Sequence, residues 1–129
     1  MNLINQDGLH MKFVLLSKSS TEQSKEALKE LQEEFKCALR CGEGRLGNCH
    51  FFYRYFLRIH YVPYQEIVHA DMREESGESG EFLLKEFYLM LVFGNGQTGK
   101  LRFEREKNAR EVISYLEEHY PDIRIGFYK

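Results

Sequence analysis

The chain has little that would tie it to an oxidising compartment, a bilayer or a nucleic acid. Its cysteines number three. An odd count of that size argues against a disulfide framework and points to a reducing cytoplasm, which is the expected location. The formal net charge is only −2 over 129 residues, so no global field draws in nucleic acid or an anionic surface. That sum does not exclude a local basic patch. The longest apolar runs, Phe13 to Leu16 and Leu89 to Phe93, are far too short for a transmembrane segment. The N-terminus lacks a basic leading region and a small-residue cleavage site, and does not read as a signal peptide. Neither an internal repeat nor a low-complexity tract is present.

What is abundant is ring surface. Aromatic residues make up 14% of the chain and apolar residues 43%, in a length that suits one domain with one hydrophobic core. The rings concentrate in CHFFYRYFLRIHYVPYQEI, from Cys49 to Ile67, where every residue from Phe51 to Phe56 except Arg54 is aromatic. So much apolar surface must be buried or must bind something. Read as one alternating strand, Phe51, Tyr53, Leu57, Ile59 and Tyr61 fall on the core face. Phe52, Arg54, Phe56, Arg58 and His60 then share the other face with His50. A strand that long exceeds the usual length about twofold, so a tight turn is expected near Tyr55 and Phe56.

The rest of the chain is expected as a single domain over residues 1–129. Met11 offers an alternative start, which would leave residues 1–10 as a flexible arm. Residues 11–36 read as a short strand, Met11 to Ser17, and a charged helix from Thr21 to Lys36. The helix carries an apolar stripe at Leu28, Leu31 and Phe35, with a capping box at Ser20 and Gln23. From residue 37 to 129 short strands dominate, with turn residues at Gly42, Gly44, Gly47 and Asn48. Pro63 should begin or break a strand. The acidic segment Glu74 to Glu81 reads as an exposed loop. Phe82 to Phe93, a glycine-rich turn, and Leu101 with Phe103 read as a hairpin. An amphipathic helix capped by Asn108 and Glu111 follows, then a last strand through Ile123, Ile125 and Phe127. The order implies an α+β fold.

Several groupings bear on chemistry. Cys37, Cys41, Cys49 and His50 have the right donors for zinc, yet adjacent Cys49 and His50 on a strand would point to opposite faces. The cysteines are read as small core residues, with no metal site. A nucleophilic cysteine would need a base and a lowered pKa; His50 and His60 are the nearest bases and no third group orients them, so no catalytic residue is assigned. GEGRLG, from Gly42 to Gly47, has dinucleotide-loop spacing but leads into a strand and not a helix, so it reads as a turn. Arg54, Arg58 and His60 between Phe52 and Phe56 could take an anion, a peptide or a single strand by charge and stacking. These five are the candidate ligand- or partner-binding residues. The plain alternative is a solvated sheet face whose arginine stems cover apolar surface.

From about Cys37 to Tyr120 the chain resembles the pleckstrin-homology-like superfold, and most closely its small bacterial members. The resemblance is carried by Val62, Pro63, Tyr64, Gln65, Glu66 and Ile67, and by the strand, hairpin, strand and helix from Leu83 to Leu116. It implies a bent antiparallel sheet or partly open barrel of about six or seven strands, with an N-terminal helix and a C-terminal amphipathic helix. This chain has no tryptophan and no phosphoinositide-binding basic motif, so no lipid site is carried over. The superfold serves many partners. The expectation is a non-enzymatic binding module, without cofactor and without nucleic acid, for a protein or peptide at an open sheet edge or a sheet–helix groove. Its alternative is a domain binding a small molecule or an anion such as a lipid headgroup. A homodimer through an exposed apolar face is a corollary.

Overall fold

The computed structural model of the protein describes residues 3–4, 10–17, 24–79 and 82–127. In chain order these form β1 (Leu3–Ile4), β2 (His10–Leu15), α1 (Lys25–Cys37), β3 (Leu39–Cys41), β4 (Gly44–Leu46), β5 (His50–Tyr55) and β6 (Arg58–Pro63). A single 3-10 turn, Tyr64–Glu66, leads to β7 (Ile67–Ser79), β8 (Phe82–Phe93), β9 (Thr98–Phe103), α2 (Glu106–His119) and β10 (Arg124–Phe127). The class is α+β, as composition and order imply. The strands do not make one bent sheet. They form a six-stranded sheet, β1-β2-β6-β5-β4-β3, and a four-stranded sheet, β10-β7-β8-β9. Each is antiparallel except for one parallel pair, β2 with β6 and β10 with β7. Pro63 and the 3-10 turn divide them, because proline has no N–H to continue the ladder.

The first sheet is buried on both faces. On one side α1 lays Leu31 and Phe35 over Phe52, Ile59 and Tyr61, with Phe13 and Leu15 at the margin. Ser24 caps this helix by accepting a hydrogen bond from the Ala27 N–H at 3.1 Å. The Ser20–Gln23 capping box lies outside the described residues. On the other side Phe51, Tyr53 and Val62 meet Leu89, Leu91, Phe93 and Phe103 of the second sheet, and Val112, Ile113 and Leu116 of α2. Helix α2 begins after Arg105, which provides no side-chain cap, so the Asn108–Glu111 box does not form the start of the helix.

A two-residue turn decides which aromatic faces which core. Tyr55 pairs with Arg58, leaving Phe56 and Leu57 as the turn. Residues directly opposite each other share a face. Phe51 and Tyr53 therefore share a face with Val62 and His60, whereas Phe52 and Arg54 share one with Tyr61 and Ile59. The continuous alternation assumed from sequence is reversed beyond the turn. Phe56 adopts φ +58°, the sign found at the first central position of a type II′ turn, where glycine is the ordinary occupant. The neighbouring β3–β4 hairpin has the same arrangement with Gly42 at φ +63°. The turn falls near Tyr55 and Phe56, where strand length leads it to be expected, although no glycine marks it.

The acidic segment also differs from its reading as a loop. Glu74 to Ser79 prolong β7 and pair with β8, Glu75 opposite Glu86 and Ser76 opposite Lys85. Gly80 and Glu81 lie outside the described residues. Lys100 offsets the Glu75 charge with a contact of 2.6 Å, and Lys85 lies 3.5 Å from Glu74. Opposed lysines let an acidic strand stay in a ladder.

Candidate functional site

Strand register gathers the arginines that sequence order keeps apart. Arg40 on β3 pairs with Arg45 on β4, Arg45 pairs with Phe52 on β5, and Arg54 follows two residues later. All lie on the α1 face of the first sheet, where the C-terminal end of α1 is close by. The Arg45 guanidinium donates to the Phe35 carbonyl at 3.2 Å and sits 4.1 Å over the Phe35 ring. A cation there adds a second donor to the Phe35 carbonyl, which already accepts the Ala38 N–H at 3.3 Å, and complements the helix dipole. Burial, then the charges of Arg40 and Arg54, hold Arg45 below its ordinary pKa. Three guanidinium groups thus stand near enough to repel one another.

Beside them opens a hollow of about 410 Å³ lined by Arg40, Arg45, Arg54, Phe56, Arg105 and Asn108, with Gly42, Glu43 and Glu104 at its wall. The Glu43 carboxylate accepts the Glu104 N–H at 3.0 Å. Among the described residues, Arg40, Arg54 and Arg105 form no ion pair within 4.0 Å. Four guanidinium groups against two carboxylates leave the hollow net positive. A phosphate or carboxylate entering it would meet planar donors suited to bidentate contact.

The five residues singled out from sequence do not make one face. Phe52 is fully buried beneath α1, its ring 5.3 Å from Phe35 in an edge-on contact, and it is a core residue. Arg54 and Phe56 border the arginine hollow. Arg58 and His60 lie across the sheet, in a second opening of about 490 Å³ shared with Tyr53, Tyr55, Lys100 and Arg102. There burial, then the Arg58 charge, lower the His60 pKa. Sequence reading missed Arg40 and Arg105, and Arg45 is not among the five. Arg40 and Arg45 flank a Gly-Glu turn at equal distances, a pattern that marks cross-strand neighbours once the hairpin is assumed.

The cysteines are dispersed in chemistry if not in sequence. Cys37 and Cys49 are exposed and so are not the core residues expected of them; only Cys41 is. Cys41 is buried, and its thiol is pushed up to about 12 by burial, then by the hydrogen bond and charge of Glu111. Contrary to the expectation that no third group orients it, His50 turns its Nδ1 to the Glu34 carboxylate at 2.7 Å, and Glu34 also accepts the backbone N–H groups of Cys49 and His50 at 2.8 and 2.7 Å. Among the described residues no cluster of three or more histidine, cysteine or acidic side chains has metal-site geometry. Asp71, buried and 3.1 Å from His69, leaves its Oδ1 without a hydrogen-bond partner. GEGRLG forms the β3–β4 hairpin, and at its end a Cβ on Gly47 would stand 2.3 Å from Glu34 Oε2.

A third opening, of about 620 Å³, lies between α2 and β3, where Leu39, Leu46, Arg110, Glu111, Tyr115 and Glu118 are among its lining. Leu39 is 61% exposed there, and no strand pairs with the outer edge of β3 among the described residues. No helix among those residues is long and apolar enough to cross a membrane. Compared with known proteins, the chain matches no family model, no curated protein and no solved structure.

Proposed function

We propose that the protein is a non-enzymatic binding module that takes an anionic group of its ligand in the arginine hollow. One observation carries this reading: Arg40, Arg45 and Arg54 converge on one sheet face without carboxylate partners for Arg40 and Arg54, and Arg45 is anchored by the end of α1. Holding like charges together costs stability, and a bound anion offsets that cost. Burial of the Cys41 thiol takes that one residue out of nucleophilic chemistry. The pleckstrin-homology-like resemblance enters only as architecture. Antiparallel strands followed by α2 agree with it, whereas the two separate sheets and their parallel pairs depart from it, and it selects no ligand.

A thermal-shift series with inorganic phosphate, pyrophosphate and citrate tests the reading. Stabilisation that saturates with ligand, weakens with salt and disappears in Arg54→Ala or Arg40→Ala is expected. No stabilisation by any of the anions, or stabilisation unchanged in both variants, would refute it. The β3 edge and its groove favour a second reading, a protein or peptide segment added as a strand beside Leu39. Pairing of two copies through that edge is the homodimeric form of it, and sedimentation that shifts with concentration and reverts in Leu39→Lys is the corresponding test.

A further inference from the structure

The β5–β6 turn exposes what soluble domains ordinarily cover. Tyr55 is 66% exposed, Phe56 83% and Leu57 43%, three adjacent large apolar side chains at one hairpin tip. Phe56 also sits at φ +58°, a conformation that costs a bulky residue stability and that glycine adopts freely. With so little of its ring buried, packing within the fold does not repay that strain. The apex is flanked by cations that outnumber the nearby carboxylates, Glu43 and Glu104, which share the hollow with Arg54 and Phe56. Arg54 and Arg58 flank it on opposite faces of the hairpin, since Arg54 pairs with Ile59 and Arg58 with Tyr55. Exposed Lys12, on the neighbouring strand, pairs with Arg58 and donates its N–H to the Leu57 carbonyl. No acidic residue occurs from His50 to Gln65.

The arrangement selects among partners. A protein partner docks on one side and needs roughly 800 Å² of each surface, more than three apical side chains supply. Cations at one height on both faces, around a protruding ring, suit a partner that surrounds the tip uniformly. A lipid bilayer with anionic headgroups does so: rings settle at the interface, and flanking basic residues meet the surface charge. We propose that the β5–β6 turn is an interfacial anchor that sets Phe56 into the headgroup region of an anionic bilayer, with Arg54, Arg58 and Lys12 contacting lipid phosphates around it. The inference rests in part on the anion-binding reading, because Arg54 serves both. It invokes bulk surface charge and an apolar tip, not recognition of one headgroup.

Co-sedimentation of the full chain with vesicles tests it, using phosphatidylcholine alone and phosphatidylcholine mixed with phosphatidylglycerol. The informative variant is Phe56→Gly, which relieves the backbone and should keep or raise the melting temperature, so lost binding cannot be ascribed to unfolding. Wild-type chain is expected to bind the mixed vesicles and not the neutral ones, and Phe56→Gly to bind about tenfold or more weakly. Equal binding by Phe56→Gly would overturn the role of the tip. Absence of vesicle binding, while pyrophosphate still stabilises the chain through Arg54, would overturn the bilayer inference and leave the anion reading standing. Failure in both arms would remove both. Self-association lost in Phe56→Gly, without vesicle binding, would assign the tip to a second copy instead.

Discussion

Glu34 should be the most costly single charge to remove. It lies on α1, its side chain 14% exposed, and one carboxylate accepts three hydrogen bonds of 2.7 to 2.8 Å from Cys49 N, His50 N and His50 Nδ1. It is thus the bolt between the helix and the start of β5, and its removal strips two backbone N–H groups of the acceptor they share. Hydrogen bonds to a charged acceptor contribute roughly 1.5–3 kcal/mol each, discounted here because the Cys49 side is open to water. Glu34→Ala should therefore cost about 2–4 kcal/mol, a fall of roughly 8–16 °C in melting temperature for a chain of this size. Glu34→Gln, which keeps one carbonyl acceptor, should lose about half as much. The neighbour Glu33, 64% exposed and 3.9 Å from Lys36, is the control and should cost under about 0.5 kcal/mol. Urea or thermal denaturation of the three variants checks this. If Glu34→Ala unfolded within about 0.5 kcal/mol of wild type, those N–H groups would be satisfied by water and the reasoning refuted.

The same site predicts that Gly47→Ala destabilises by about 1–3 kcal/mol, because its Cβ would meet Glu34 Oε2 at 2.3 Å and Phe52 Cε2 at 2.9 Å. Combined with Glu34→Ala the loss should be less than additive, since much of the clash is already gone. Phe52→Ala should cost about 3–5 kcal/mol by emptying the core beneath α1, whereas exposed Arg54→Ala should stay within about 0.5 kcal/mol. Thiol titration of the native chain at pH 8 should modify Cys37 and Cys49 and leave Cys41 unreacted until denaturant is added. Stability should also fall in alkali. Burial pushes the Tyr53 phenol up to about 12, against about 10 in the unfolded chain. Below pH 10 both states keep the proton; between about pH 10 and 12 only the unfolded chain releases it, so stability is full below that window and is lost through it. Denaturation midpoints from pH 8 to 11.5 should decline monotonically.

The residues that the chain's alternation marks as strand are largely strand, because a two-residue period between water and an apolar layer leaves its trace in the letters themselves. Phe13 to Leu15, Phe82 to Phe93 and most of the aromatic run are strand, though dense apolar and aromatic content marks them more than alternation does. The partition of the aromatics between two cores was not legible. It depends on a turn with Phe56 where glycine is usual, and on a first sheet covered on both sides, so that both faces of β5 are apolar and periodicity cannot name the core side. The β7 extension through Glu74 was hidden for a related reason: Lys85 and Lys100, distant in sequence, are what let acidic residues remain in a ladder. The arginine hollow is a product of register. Arg54 was visible because it interrupts a run of rings, but only the β3–β4 hairpin brings Arg40 and Arg45 beside it.

The shortness of the Phe56–Leu57 turn bears on how this molecule can diverge. Because Tyr55 is paired directly with Arg58, one residue inserted between them would shift the whole of β6 by one position in its ladder. His60 would then point beneath α1 and Tyr61 into the opposite core, where Val62 now packs. Insertions of two residues would leave every inward ring in place and only lengthen the tip. Length variation at this apex should be tolerated in even steps and rejected in odd ones, and a library of tip insertions scored for soluble folded protein would display that parity directly.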